Sequence, residues 1–496
     1  MGETRQEPPN VAVVPTPGMG HLIPLVELAR RLVVLHKFAF TFIVPSDGSP
    51  MEPQKKLLQG LPAESISSIF LPHLTFHDLP EDSPIEARIA SSLIRSLPAL
   101  RDSLKVLNES TRLVALVVDL FGAEALDLAK EFGVLPYVFF PSSMMVLSSV
   151  LYLPKLDEST YCEYRDLPEP IGLPGCVPIN GSDLADVLQD RKNEAYKMVL
   201  GIAKRYSDVP AGIMVNSFAD LEPGAFKASK DGVQLGNNPP VYSVGPLIRS
   251  DSAGFAGFDG SEYECLRWLD KQPKGSVLFI SFGSGGTLSH EQLKELALGL
   301  EMSGQRFLWV VRRPNEKAAN ANYFNIVQSV KDYDPDYYDF LPNGFLERTK
   351  EVGLVVPNWA PQVRVLNHVS TGGFVCHCGW NSVLESIVHG VPLIAWPLYA
   401  EQRMNTVLLV DDLKVAFRVK LNEKGLVERQ DIAKYAKELI EGEDGKILRS
   451  RIKHLKDAAS LAMALSKQAV PAGSSTNSLA EVAQIWNNHH KNLPNC

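Results

Sequence analysis

Residues 359–402 read WAPQVRVLNHVSTGGFVCHCGWNSVLESIVHGVPLIAWPLYAEQ. At the centre of this stretch, 372–378 has the apolar run of a short buried strand, and 382–389 reads as a helix that Gly390 can end. A strand that feeds a helix through a tight turn aims the helix's unsatisfied backbone donors beyond the strand end, where an anion is the favoured guest. A diphosphate suits that place. Trp359 offers a flat ring for a base, and the pair Glu401 and Gln402 offers acceptors and donors for sugar hydroxyls. The stretch holds the parts of a nucleotide-sugar site.

Outward from it, strand and helix patterns alternate. Before the stretch come an apolar run at 277–280, a loop at 281–286, a helical pattern at 290–302 and another apolar run at 307–311. After it, helical patterns occupy 405–411, 430–440, 447–462 and 476–486. The first half alternates in the same way: apolar runs at 11–14, 38–44, 113–118 and 137–140, a Pro/Gly loop at 16–20, and helical spacing from Leu22 to Val33, at 85–107 and at 123–132. The expectation is α/β, with two doubly wound, Rossmann-like sheets in tandem whose ligands sit at the carboxyl edges. The Gly/Ser/Asp-rich text at 246–262 reads as a linker. The expected division is 1–245 for the first domain, 263–465 for the second, and 466–496 for a last segment. Residues 157–182, rich in Pro and Gly, suit a loop over a pocket mouth, and the polar 314–340 suits a surface insertion.

A chain of 496 residues exceeds a usual single core, which agrees with two domains. Its net charge of -8 and lack of any Lys/Arg run argue against a nucleic-acid partner and for small-molecule ligands. Six cysteines are too few for a disulfide framework and show no paired zinc spacing, so a reducing compartment is expected. The opening MGETRQEPPN lacks the apolar core of a signal peptide, and Gln6 stands where a myristoylation signal needs Ser or Thr. No apolar run reaches the roughly 18 residues of a membrane span. These readings place the chain in the cytoplasm, without a membrane span, and nothing in it calls for more than a monomer.

His21 follows the loop after the first strand, and Asp119 ends a later strand, so both belong at one sheet edge. A carboxylate beside an imidazole fixes its tautomer and raises its basicity, which a general base for a hydroxyl needs. The competing reading has His21 capping the next helix and Asp119 pairing with a surface cation. Gly18 and Gly20 open a G-x-G pattern, but Ile23 stands where a dinucleotide fingerprint has its third glycine, and the acid some twenty residues on is missing. Cys376 and Cys378 flank His377, and strand alternation sends the thiols to one face and the imidazole to the other, away from a shared metal. Ser382 and Glu385 have the spacing of a capping box, which competes with any ligand role. Asp334 and Asp336 form an Asp-x-Asp pair, yet no strand precedes it as a metal clamp would need.

From its opening Trp-Ala-Pro-Gln to its closing Glu-Gln, the 359–402 stretch resembles the signature box of plant secondary-product UDP-glycosyltransferases. SFGSGGTLS at 281–289, LVVDLFG at 116–122 and WPLYAEQ at 396–402 are most similar to the hydroquinone glucosyltransferase (arbutin synthase) group. This resemblance implies the GT-B fold, two Rossmann-like domains facing across a cleft, with the final helix returned to the first domain. It makes His21 and Asp119 the catalytic dyad. For UDP-glucose it implies Trp359, Ala360 and Gln362 at uracil, Glu385 at ribose, Ser284, His377 and Ser382 at phosphate, and Ser143, Trp380, Asn381, Glu401 and Gln402 around the hexose. Gly20, Glu86, Phe121, Met145 and Leu147 would line the acceptor pocket. Cys376 stands where the family usually has Thr or Ser, and Glu401 where Asp is commoner. The implied reaction is inverting transfer of glucose from UDP-glucose to the hydroxyl of a hydroquinone, monolignol, halophenol or indoxyl type of acceptor, with no metal. Two other readings stay open: a non-catalytic nucleotide-sugar binder on the same fold, and a nucleotide-dependent oxidoreductase, whose third glycine and acid are absent.

Overall fold

The computed structural model describes residues 7–46, 51–74, 85–232, 238–249, 263–316, 337–466 and 471–489. Asp334 and Asp336, most of the 314–340 segment and residues 250–262 of the linker fall outside them. The described residues divide into two units, one from 1–182, 187–256 and 461–496, the other from 183–186 and 257–460.

The sheet of the first unit contains β1 (Asn10–Val14), β2 (Ala39–Val44), β3 (Ile66–Phe70), β4 (Leu113–Val118), β5 (Leu135–Phe140), β6 (Gly212–Val215) and β7 (Val241–Ser243). They lie in the order β3-β2-β1-β4-β5-β6-β7, every pairing parallel. Parallel strands are covered on both faces, and every residue of β1 and β4 is accordingly buried. The chain runs outward from β1 to β3, then crosses back to β4 on the other side of β1. The gap between the carboxyl ends of β1 and β4 is therefore the switch point, where helices leave to opposite faces and a crevice opens.

The second unit repeats the plan with β8 (Val277–Ser281), β9 (Arg306–Val311), β10 (Gly353–Pro357), β11 (Thr371–Cys376), β12 (Leu393–Ala395) and β13 (Ala416–Arg418). Their order, β10-β9-β8-β11-β12-β13, puts the switch point between β8 and β11. Phe279 of β8 stacks on Phe374 of β11 with centroids 5.0 Å apart, which closes the sheet face below that edge.

Several elements differ from expectation for local reasons. The helix after β1 is Met19–His36 and starts inside the Pro/Gly loop, because Gly18 supplies the positive φ of 119° that turns the chain into it. Gly20 and His21 thus lie in the first helical turn. β11 ends at Cys376, and Cys378, with φ 65°, bends the chain so that the next helix is Trp380–His389 rather than 382–389. One competing reading and one inference from the sequence fall with this. Ser382 stands third in the helix, behind an N-cap at Gly379, so no capping box forms. Alternation also stops before His377, and the Cys376 Sγ lies 3.9 Å from the His377 Nδ1 instead of on the opposite face. Gly390 does end the helix, in the left-handed region at φ 73°.

Candidate active site

At the β1/β4 edge the His21 Nδ1 is 2.8 Å from the Asp119 Oδ2. Asp119 is fully buried, whereas the imidazole keeps 18% of its surface exposed. Two further bonds hold the carboxylate, Oδ2 accepting from the Thr16 backbone N–H at 3.2 Å and Oδ1 from the Leu120 N–H, while the Asp119 backbone N–H donates to the Val14 carbonyl at 3.2 Å. With the carboxylate ionised, Nδ1 donates and Nε2 is the basic nitrogen of the ring. His21 is not the helix cap, a place held by Gly18, and among the described residues Asp119 has no Lys or Arg ion pair. The Phe121 ring lies tilted 6.5 Å from the imidazole.

The other residues expected in the first unit are less concentrated. Glu86 sits half-buried in the first turn of the helix Ile85–Ser110. Ser143 is buried at the N-cap of the helix Met144–Ser159, where its hydroxyl accepts from the Val146 N–H. Met145 and Leu147 are 1% and 0% exposed, so their side chains are part of the packed interior. The start of that helix is fixed by Glu222, whose buried carboxylate accepts from the Met144 and Met145 N–H groups at 2.9 and 2.8 Å. Its distance in sequence, nearly eighty residues on, hides this from pattern reading.

At the β8/β11 edge the helix Trp380–His389 opens with no side-chain cap, which leaves its first N–H groups aimed past the sheet. Trp380 is 3% exposed and heads the helix, with Asn381 next. His377 is buried, and burial followed by the nearby Arg312 charge pulls its pKa down to about 4, so the ring is neutral at physiological pH. Its pocket depends on two glycines: a Cβ at Gly283 would come within 2.5 Å of the ring and one at Gly379 within 2.4 Å. Gly283 also has φ 73°. Ser284, beside it, is exposed in the turn that follows β8.

Gln362 ties its own short helix to the helix Trp380–His389. Its Nε2 donates to the Ser382 Oγ at 2.8 Å and to the Glu385 Oε2 at 2.7 Å, so the two helical side chains and the amide form one polar group. Trp359 is 45% exposed, the state a stacking ledge needs, and its ring lies tilted 5.7 Å from Tyr263. Ala360 next to it is buried.

The loop carrying Glu401 and Gln402 is pinned from several directions. The Gln402 Oε1 accepts from the Leu398 and Tyr399 N–H groups at 2.8 and 3.0 Å. Burial and then the Glu401 charge push the Tyr399 phenol up to about 12. The Ala400 N–H donates to the Asp186 Oδ2 at 2.7 Å, the Asp186 N–H returns a bond to the Ala400 carbonyl at 3.0 Å, and Arg403 pairs with the same carboxylate. Asp183 likewise pairs with Arg418. The sequence gives no sign of these anchors, because they join residues more than 200 positions apart. Among the described residues no group of three or more His, Cys, Asp or Glu is placed to hold a metal, and no helix is long and apolar enough to cross a membrane.

Comparison with known proteins gives consistent findings. Residues 253–465 match the profile of the family described as UDP-glucoronosyl and UDP-glucosyl transferase. A hydroquinone glucosyltransferase from Rauvolfia serpentina is 57% identical over 480 residues, covering 97% of this chain and 98% of that one. Among solved structures, a UDP-glucosyltransferase from Polygonum tinctorium capable of glucosylating indoxyl, in complex with 3,4-dichloroaniline, superposes with a TM-score of 0.87 at 49% identity over 98% of this chain and 100% of that one. UGT2 of Phytolacca americana, complexed with UDP-2fluoro-glucose and pterostilbene, gives 0.85 at 48% identity over 97% and 100%.

Proposed function

Because the chain belongs to the UDP-glucoronosyl and UDP-glucosyl transferase family and has the GT-B fold, we infer that it transfers glucose from UDP-glucose to the hydroxyl of a small phenol. In this reading His21 takes the phenolic proton at Nε2 while Asp119 supports the imidazolium through Nδ1. The phenolate oxygen then forms a bond to the anomeric carbon from the face opposite UDP as the bond to the diphosphate oxygen breaks, which inverts configuration and yields a β-glucoside. A phenol is more acidic than an alcohol, so the base has a small barrier to lower.

Donor binding is assigned to the β8/β11 edge: Trp359 stacking on uracil with Ala360 beside it, Gln362 and Glu385 toward base and ribose, Ser284, Ser382 and His377 at phosphate, and Trp380, Asn381, Glu401 and Gln402 toward the hexose; Ser143 of the first unit is also assigned to the hexose. Gly20, Glu86 and Phe121 are assigned to the acceptor, with Met145 and Leu147 shaping its pocket from within. The leaving diphosphate is received by helix N–H groups and hydroxyls, without a metal. The protein is placed in the cytoplasm as a monomer. Cys162, Cys176, Cys265, Cys376 and Cys378 form no disulfide, which suits a reducing compartment.

The observation that carries the catalytic reading is the 2.8 Å bond between His21 and the buried Asp119 at a sheet switch point. A binding protein without chemistry has no use for that pair. The test is UDP release from UDP-glucose with a panel of hydroquinone, a monolignol, a chlorophenol and indoxyl. His21→Ala is expected to lower turnover by about 10² to 10⁴-fold while keeping UDP affinity. Normal turnover in that variant would refute the dyad, and no UDP release by the unaltered protein with any acceptor would favour the binding protein.

A further inference from the structure

In a sugar-nucleotide site without a metal, a fixed positive charge adds to what helix N–H groups offer the diphosphate, and His377 does not provide one, since its ring is neutral. The fixed cation whose charge acts on that ring is Arg312, the residue directly after β9. Its guanidinium donates to the carbonyl oxygens of Gly283 and Gly286, the latter at 3.1 Å, and to the Asn358 carbonyl at 3.1 Å. One side chain thus joins the loop that carries Ser284 to the turn that carries Trp359.

Two physical features make this more than a brace. A peptide's carbonyl and its following N–H point in opposite directions. With the Gly283 carbonyl drawn to Arg312, the Ser284 N–H must point away from the guanidinium, and Ser284 is the exposed residue of the loop. Carbonyl oxygens are also only partial charges. Among the described residues no carboxylate pairs with Arg312, and the phenols of Tyr337 and Tyr399 near it keep their protons at neutral pH. An arginine bound only by neutral acceptors keeps a net charge in a partly desolvated setting, where it acts further than it would in water.

We propose that Arg312 is the positioning residue of the donor site: it fixes the Ser284 loop relative to Trp359, and its charge is the standing counter-charge for the diphosphate. This rests on the assignment of the donor to the β8/β11 edge. It predicts a dependence on phosphate that a brace alone lacks. A purely structural arginine, once removed, weakens uridine, UMP and UDP alike, whereas a counter-charge matters in proportion to phosphate.

The experiment is calorimetric titration of the full chain with uridine, UMP and UDP, for the unaltered protein, Arg312→Gln and Arg312→Lys. Arg312→Gln is expected to weaken UDP about ten- to a hundred-fold, the range of a lost charged hydrogen bond, and uridine by less than about threefold. Arg312→Lys is expected to restore most of the UDP/uridine ratio. Equal loss for all three ligands, or an unchanged UDP/uridine ratio in Arg312→Gln, overturns the proposal. Should Arg312→Gln not fold, as judged by circular dichroism, the second uncharged variant Arg312→Met decides: a lowered UDP/uridine ratio supports the counter-charge and an unchanged ratio refutes it. If the unaltered protein bound no UDP, the donor-site assignment itself would fail, a result distinct from any of these.

Discussion

At neutral pH the imidazole of His377 is an uncharged hydrogen-bond donor enclosed by two glycines and a sheet edge, and this state is a property of its burial. A base held neutral in the fold makes stability depend on pH in one direction. The unfolded chain takes up the proton near pH 6.5 and the folded one only near 4, so between those values the unfolded state binds more protons. Stability from this residue is complete above pH 6.5 and falls as pH drops, by about 3 kcal/mol at pH 4. Urea unfolding of His377→Asn should therefore show a smaller acid loss between pH 7 and 4.5 than the unaltered protein. Equal losses would mean that the ring is not buried neutral.

The loops at the carboxyl ends of β8 and β11 meet through glycine. Gly283 needs its residue type twice, for φ 73° and for the His377 ring that a Cβ would strike. Gly304 offers a control, with φ 63° and nothing within 4 Å of a Cβ. Gly304→Ala is expected to cost about 1 kcal/mol of stability for the left-handed backbone and leave UDP affinity unchanged. Gly283→Ala bears the same backbone cost and also displaces His377 or the Ser284 loop. UDP affinity measured by calorimetry should fall at least about tenfold, the effect of one lost charged hydrogen bond. If both variants bind UDP equally well, the contact with His377 has no bearing on the donor.

On the scale of the molecule, the C-terminal helix Ser474–His489 belongs to the first unit although nearly the whole of the second lies between it and the first sheet in sequence. Trp486 is fully buried, edge-on to Phe38 at 5.7 Å and to Tyr137 at 5.3 Å. The Ser475 Oγ donates to the Gly245 carbonyl, and Arg112 donates to the Asn487 carbonyl at 3.0 Å. Trp486→Ala is expected to destabilise the first unit by about 3 to 5 kcal/mol, read by urea unfolding, with UDP affinity intact because the residues proposed to bind UDP itself belong to the other unit. A variant as stable as the original would show that the helix is not part of that core.

The amino-acid order alone determined the two alternating halves, the one sheet edge to which His21 and Asp119 belong, and the contiguous box from Trp359 to Gln402, because hydrophobic period and local turns are written in neighbouring residues. It misplaced the start of the helix Trp380–His389 by two positions, since one left-handed residue, Cys378, redirects the chain and no pattern announces it. It overlooked short strands such as β6 and β12, whose three or four residues become strands only by pairing with neighbours already in place. Only the tertiary structure decided that Arg312 bridges two loops, that Asp186 holds Ala400, and that Glu222 fixes the start of a distant helix. Each of these is a polar contact across many residues of chain, and such contacts exist only after the sheets have brought their partners together.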